Sequence, residues 1–454
     1  MGFPLPNAGP YGLYIRQLFY FVTPWESVLI EETLPWLILL VLVEILYCWK
    51  KGLKDAYRLN DSIASISAGF FQRIIIGLIY RMTEFQLYSH IYNNCCVFDL
   101  PWHSPFTWLM AFVSADFLGY WIHRASHEIG LFWAIHQTHH SSEFFNLTTA
   151  FRQNILQPLV TMCFNLSAAV LIPPSAFYAH LMLNIHYQFW VHTEVIGSLG
   201  PLEKIINTPS SHRVHHSRNR LYIDKNYAGV LIIWDRMFGT YQPELDNEPI
   251  SYGLVNQANS FDAMHLQFSH LKYALWDKPR SMKGVANKLK AVFYGPGWHP
   301  GTARCGNTEE IPDVDRTSKP YDTDVQPWVS VYVLTHIIFT LVGYQIVIKT
   351  IWYFPWTNRF GFVALLVYSI QVLSCLLEKK KYGAILEVIR CLLLYRYFCP
   401  TLRAVNDTAS LIGQVILLAS GALWTPFAIA DIPVTRLGKK FYFGLLENTR
   451  TIAD

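Results

Sequence analysis

Residues 329–348, "VSVYVLTHIIFTLVGYQIVI", run for twenty positions without an Asp, Glu, Lys or Arg. Wound as a helix, such a run has the length needed to cross bilayer hydrocarbon, which takes about 20 apolar residues. Lipid offers no partner to a backbone amide, so a run this long must satisfy its hydrogen bonds internally, as a helix does. Comparable apolar segments occur at roughly 33–49, 63–80, 104–122, 155–173, 176–197, 327–352, 361–377, 383–399 and 409–430. Charged residues make up only 15% of the chain and hydrophobic ones 52%, whereas soluble domains carry about 25% charge. The expected architecture is therefore all-α, a polytopic membrane helical bundle. Glu44, Asp116 and Glu387 fall inside these segments, and such groups normally turn toward the bundle interior.

Basic residues cluster just beyond three of the segments, as "KKGLKDAYR" (50–58), "EKKKYG" (378–383) and "RLGKKF" (436–441). The positive-inside rule places them on the cytosolic side. The net charge of +4 is small for 454 residues and gives no reason to invoke nucleic acid. Eight cysteines without C-x-x-C spacing point to a reducing compartment rather than a disulfide framework. Residues 295–326 are rich in Pro, Gly, Asp and Thr and lack periodicity, which reads as a linker. It divides a unit at 1–294 from a C-terminal helical block at 327–454.

Within the first unit, histidines recur in a pattern that composition does not explain. His123 and His127 form H-x-x-x-H, and H-x-x-H-H occurs twice, at His136/His139/His140 and at His212/His215/His216. Residues three and four apart on a helix share a face, so each cluster can aim two or three imidazoles at one point. Isolated histidines are ordinarily surface or satisfied core residues, but a doubled motif with a third cluster nine residues upstream points to metal binding. Eight imidazoles exceed the four to six ligands of a single ion, so two metals are expected. Spacing does not choose between iron and zinc. The clusters flank the apolar hairpin 155–197, which should fold back to bring them together as a histidine-rich di-metal cap on the cytosolic side of the bundle. Asp116 and Tyr120 precede His123 by seven and three positions on the same helical face, which makes them candidates to hold an imidazole from behind. Asn146, Asn219, Asp224 and Asn226 are expected to orient ligands or, more simply, to cap helices.

The order H-x-x-x-H, H-x-x-H-H, H-x-x-H-H with a membrane hairpin before the last resembles the fatty acid hydroxylase superfamily of membrane di-iron enzymes. The stretches "DFLGYWIHRASHE", "HQTHHSSEFFNLTTAFRQ", "YQFWVHTEVIGSLGPLE" and "NTPSSHRVHHSRNRLYIDKNYAGVLIIWDRMFGTY" are similar to its ether-lipid-cleaving branch. The resemblance implies two iron ions and a requirement for Glu128, which follows His127 directly. It adds His192 in "FWVHTE" as a ninth metal-site histidine. It further implies O2- and tetrahydrobiopterin-dependent cleavage of 1-O-alkylglycerols and lyso-ether lipids drawn from the bilayer, and an endoplasmic reticulum location. The residues agree with part of this. No haem signature, dinucleotide G-x-G-x-x-G or Fe–S cysteine set occurs, so electrons should arrive on a diffusible reductant such as a reduced pterin. Histidine count alone leaves a sterol or fatty-acyl hydroxylase or desaturase open. A divalent-metal transporter fits less well, since no internal repeat occurs and the clusters lie beyond the helix ends.

Overall fold

The computed structural model describes residues 33–430, apart from 54–55, 77–80, 102, 349–350 and 352–353. The basic stretch at 436–441 and the ends of the 63–80 and 327–352 segments lie wholly or partly outside the described residues. Among those described, structure is helical, and the β pairing is an isolated bridge between Ser217 and Tyr252.

Among the described residues, four helices are long and apolar enough to cross a membrane. They are α1 (Thr33–Lys51) and, in the C-terminal block, α13 (Pro327–Ile348), α14 (Trp356–Leu377) and α17 (Asp407–Ala430). Of the remaining apolar segments, 104–122 lies within the 24-residue helix Pro105–Glu128 and 383–399 within continuous helix, while the hairpin helices are shorter than a full span. The hairpin consists of α6 (Gln157–Ala168) and α7 (Pro174–Trp190), of 12 and 17 residues. At 1.5 Å per residue these reach about 18 and 26 Å, short of the about 30 Å of hydrocarbon. One face of the hairpin packs on protein, while Leu159, Leu183 and Ile185 on the other are exposed. Ala168, Ile172, Ala176 and Phe177 pack with Tyr88 of α3 (Arg81–Cys95) and with Ala111 and Ala115 of α4 (Pro105–Glu128). Ala111 and Ala115 leave room for a close approach, and the Tyr88 ring stacks on Phe177 at 5.1 Å between centroids.

The long helix α4 begins with Pro at its first position and stops at Glu128, where Ile129 turns extended. The chain restarts at once as α5 (Gly130–His140). Gly130 permits this corner. Its amide donates to the Tyr294 carbonyl at 2.7 Å, and a Cβ there would lie 3.0 Å from the same oxygen.

A second core joins α2 (Leu59–Ile75) and α10 (Ala263–Lys272) to α13, α14 and α15 (Gly383–Leu393), with α17 closing it. Ile63, Phe70 and Ile74 of α2 belong to the same cluster as Val329, Val333 and Tyr344. The C-terminal helices therefore rest on the helix that leads into the histidine region. Glu387 is buried as expected of a charge in an apolar segment. Arg390 grips it through two contacts at 2.6 and 2.7 Å and also reaches Ser369 and His336.

Candidate metal centre

Four elements deliver the histidines. His123 and His127 lie on α4, and His136, His139 and His140 on the last two turns of α5. His192 sits just past the end of α7. His212 and His215 lie on α8 (Pro209–His215), with His216 as its C-cap. Pro209 at the first helical position sets the start of α8, and the Asn207 amide donates to the Val230 carbonyl at 2.7 Å just before it. Two groups result. His123, His127, His136, His140 and His215 form one, and His139, His192, His212 and His216 the other, with nitrogen atoms inside each group all within 4.8 Å of one another.

The partition departs from the expectation that each cluster converges on a single point. In "HQTHH", His136 and His140 join the first group and His139 the second; in "HRVHH", His212 and His216 join the second group and His215 the first. Helix geometry explains it. Positions i and i+4 differ by about 40° around the axis, whereas i+3 and i+4 differ by about 100°. Each H-x-x-H-H motif thus gives a pair to one group and a single imidazole to the other, and the two motifs do so reciprocally.

Backbone carbonyls fix which nitrogen faces inward. Nδ1 of His123 donates to Tyr227 O at 2.8 Å, His139 to Arg152 O at 3.2 Å, His192 to Gln188 O at 2.7 Å and His215 to Lys225 O at 2.9 Å. A carbonyl only accepts, so these four rings carry their proton on Nδ1 and present a bare Nε2 lone pair to the interior. His127 Nδ1 lies 3.4 Å from the Asp224 carboxylate. Inside, the bare lone pairs of His139 and His192 confront each other, and further Nε2 atoms crowd beside them. His192 Nε2 is 3.2 Å from His139 Nε2 and 3.1 Å from His212 Nε2, and His140 Nε2 is 3.2 Å from His215 Nε2. Nε2 of His123, His127 and His216 is buried without a hydrogen-bond partner. Burial, reinforced by neighbouring imidazoles, holds His139, His140, His212, His215 and His216 well below the ordinary imidazole value, and burial brings His192 down to about 4. They are neutral at pH 7, the form that binds metal.

Facing lone pairs in a buried site call for a shared cation. Two nitrogens each about 2.1 Å from one ion stand about 3.0 Å apart at right angles and about 4.2 Å apart across it. The observed 3.1 to 3.3 Å pairs match the first value. The donor set therefore fits two metal ions, one per group.

The residues expected to support the ligands are placed as follows. Asp116 meets no imidazole among its hydrogen bonds. It accepts from Asn184 Nδ2, the amides of Val230 and Leu231, and Trp234 Nε1, all at 2.8 to 3.0 Å. Seven residues before His123 is about 10 Å along the helix, too far to touch that ring. Asp116 instead pins the segment whose Tyr227 carbonyl holds His123. Gly229 lies in that segment, where a Cβ would come within 2.8 Å of the Asn184 amide. Asp235 secures the same segment by accepting from the Tyr227 and Ala228 amides. The Tyr120 hydroxyl contacts Thr240 and accepts from Arg124 Nη1, rather than reaching a histidine. Arg124 Nε donates to Glu128 at 2.7 Å, so the carboxylate that follows His127 is ion-paired. Asn219 accepts from the Ser251 amide and donates to the Pro249 carbonyl, bracing a loop. Asn146 forms a capping box at Leu147–Phe151. The Asn226 amide donates to the Ser211 and Gln242 carbonyls.

Two supports escaped the sequence reading. Arg152, fully buried, binds Asp61, Ser65 and Ser141 and so holds the carbonyl that orients His139. Glu44 of α1 accepts from the Leu147 amide at 2.9 Å and from Thr193 and Tyr57, which ties that span to the residue after His192. An arginine and an aspartate interrupting apolar surroundings were the available signal for the first.

Comparison with known proteins bears directly on this arrangement. The fatty acid hydroxylase family matches residues 108–240, the stretch from α4 through α8 and its following loop. The alkylglycerol monooxygenase of Homo sapiens is 41% identical over 394 residues, covering 84% of this chain and 88% of its own. That of Xenopus tropicalis is 41% identical over 414 residues, covering 87% and 91%, and that of Caenorhabditis elegans 34% over 410, covering 83% and 80%. No solved structure matches. The likeness runs through both the histidine region and the C-terminal helices, and the chain belongs to the alkylglycerol monooxygenase family.

Proposed function

We propose that this protein is a membrane di-iron monooxygenase that cleaves the ether bond of 1-O-alkylglycerols and lyso-ether lipids, with tetrahydrobiopterin as the diffusible reductant. The observation that carries the reading is the crowding of buried imidazole Nε2 atoms at 3.1 to 3.3 Å in two adjacent groups, four of whose rings are oriented by backbone carbonyls. His123, His127, His136, His140 and His215 would hold one ion, and His139, His192, His212 and His216 the other. Iron bound there would supply O2 activation and the means to attack an unactivated C–H bond.

The balance of the reaction follows from the substrate. Inserting one oxygen atom beside the ether oxygen, with the other leaving as water, consumes two electrons and two protons. The product is a hemiacetal, which collapses to a fatty aldehyde and a glycerol hydroxyl. The chain's own part is positional. Carbonyls of Tyr227, Arg152, Gln188 and Lys225 keep four of the imidazoles aimed inward, and Arg124 holds the Glu128 carboxylate in place at the end of α4, where it can pass a proton. The sides of α5 and α8 facing the centre are buried, which limits water around a reactive site. We place the histidine groups on the cytosolic side of the endoplasmic reticulum membrane, where a soluble pterin has access. The supporting observation is the basic loops at 50–58 and 378–383.

The test is incubation of membranes containing the protein with an alkylglycerol, O2 and reduced pterin, alongside metal analysis of purified protein. Release of fatty aldehyde and two irons per chain is the expected result. Aldehyde release only with a sterol or fatty-acyl substrate, or two zinc ions per chain, would overturn it.

A further inference from the structure

Behind α5 lies a surface that the metal chemistry does not use. It is built by the turn Tyr273–Asp277 that continues α10, by α11 (Lys278–Ser281) and by α12 (Val285–Phe293). Tyr273, Leu275, Trp276, Val285, Leu289 and Phe293 stand 48 to 74% exposed there. Val285, Leu289 and Phe293 are spaced four apart, so they form one stripe along α12. The opposite face is anchored. Ala274 and Ala291 are buried, and the Tyr294 carbonyl receives the Gly130 amide at the start of α5. Exposed apolar side chains in this density mark an interaction face.

Charge says what the partner is. From Lys278 to Thr308 the chain has six Lys and Arg and no Asp or Glu. Arg280, Lys283 and Lys288 are exposed beside the apolar stripe, and Arg280 lies over the Trp276 ring at 5.5 Å. Asp277, the nearest acid, is taken up by Lys272 at 2.7 Å. At nine residues, α12 is about 14 Å long and cannot cross a bilayer. An apolar stripe rimmed by lysines, with Trp and Tyr at its edge, is the pattern of a helix lying in the plane of the lipid headgroups.

We infer that residues 273–293 form an in-plane docking surface for anionic lipid, and that it sets the height of α5 and its histidines relative to the headgroups. The inference does not depend on which lipid is oxidised or on the metal. Each basic side chain held at an anionic surface adds about fivefold to partitioning. The test is hydrogen exchange on the full chain in nanodiscs of phosphatidylcholine alone, or with phosphatidylserine added. Residues 285–293 are expected to exchange at least about tenfold more slowly with phosphatidylserine, and 0.5 M salt should partly reverse this, about as expected for screening. The K283E/K288E/K290E variant should lose the difference, while α14 exchanges equally in both lipids and reports an intact fold. Equal exchange in the two lipids would overturn the inference without a variant. Protection that follows protein density rather than lipid charge would mark a protein partner and overturn it too.

Discussion

His192 offers the sharpest perturbation, because its two nitrogens have opposite consequences with and without metal. Nε2 faces His139 and His212 at 3.2 and 3.1 Å, and Nδ1 donates to Gln188 O at 2.7 Å. Consider His192→Phe, which keeps a ring beside Phe145, whose centroid lies 5.6 Å away. In metal-free protein the substitution relieves the buried lone-pair contact with His139, worth about 1–3 kcal/mol, and loses the hydrogen bond to Gln188 worth about 1 kcal/mol. The metal-free variant should therefore be as stable as the parent or slightly more so. With metal the sign reverses. Substituting a residue that merely orients a ligand costs about 10–100-fold in metal affinity, so deleting the ligand itself should cost at least about 100-fold, or about 2.7 kcal/mol. The assay is thermal unfolding in detergent with and without iron(II) under anaerobic conditions, together with iron per chain. Metal-induced stabilisation should shrink by at least about 2.7 kcal/mol at saturating iron, and occupancy should fall from two ions to one. A variant that keeps two ions and the parental stabilisation would refute the second group as a metal site. A metal-free variant that unfolds several degrees earlier would refute the facing lone pairs.

Glu128→Gln is expected to retain both ions yet lower aldehyde release by at least about 100-fold, the scale of a lost proton-transfer group; an unchanged rate would remove Glu128 from the chemistry. Asp116→Asn turns an acceptor of four hydrogen bonds toward the Leu231 and Trp234 donors or their Val230 and Asn184 counterparts, at about 1–3 kcal/mol for each donor left unsatisfied. Metal titration should show weaker binding along with a lower melting temperature, and an affinity that stays at the parental value would disconnect this carboxylate from His123. His270 is pushed down to about 4 by burial and by His265. Its neutral form is favoured in the fold, so stability is present above the unfolded value near 6.5 and falls by about 1.4 kcal/mol per pH unit on acidification from 6.5 toward 4. His270→Leu should flatten that part of the acid-unfolding curve, and parallel curves would contradict the assignment. Arg390→Met strands Glu387 in the C-terminal core and should cost about 3–5 kcal/mol, measured as thermal stability, whereas replacing both with apolar residues should recover most of the loss.

These predictions separate what a sequence can carry from what it cannot. Eight of the histidines are legible because metal binding needs a particular side chain at a particular spacing, and both are written in the chain; His192, which stands alone in sequence, is reached only through the family resemblance. The atoms that aim them are carbonyls of Arg152, Gln188, Lys225 and Tyr227, and a carbonyl is the same at every residue. No spacing rule could nominate them. Asp116 shows the intermediate case. Helical periodicity placed it on the face of His123 correctly, but a face is an angle and not a depth, and two turns of rise put its carboxylate on the neighbouring loop. The apolar hairpin is legible in its place and not in its length. Ala176 and Phe177 of α7 are buried against α3 and α4 while Leu183 and Ile185 are exposed, and apolar residues on either face read alike in a sequence.

The reciprocal split of the two H-x-x-H-H motifs couples the two groups through shared helices. A motif that sent all three imidazoles to one ion would leave each group supported by a single element pair. Here α5 and α8 each contribute to both groups, so neither ion can bind without orienting both helices. Filling one group should then preorganise the other, because α5 and α8 lose their remaining freedom only once. The expected outcome is positive cooperativity between the two binding events, seen as a single sigmoidal step in an iron titration of the metal-free protein. In His192→Phe the step should become hyperbolic, with one ion bound. Two independent sites of unequal affinity would show that the helices are already fixed before metal arrives.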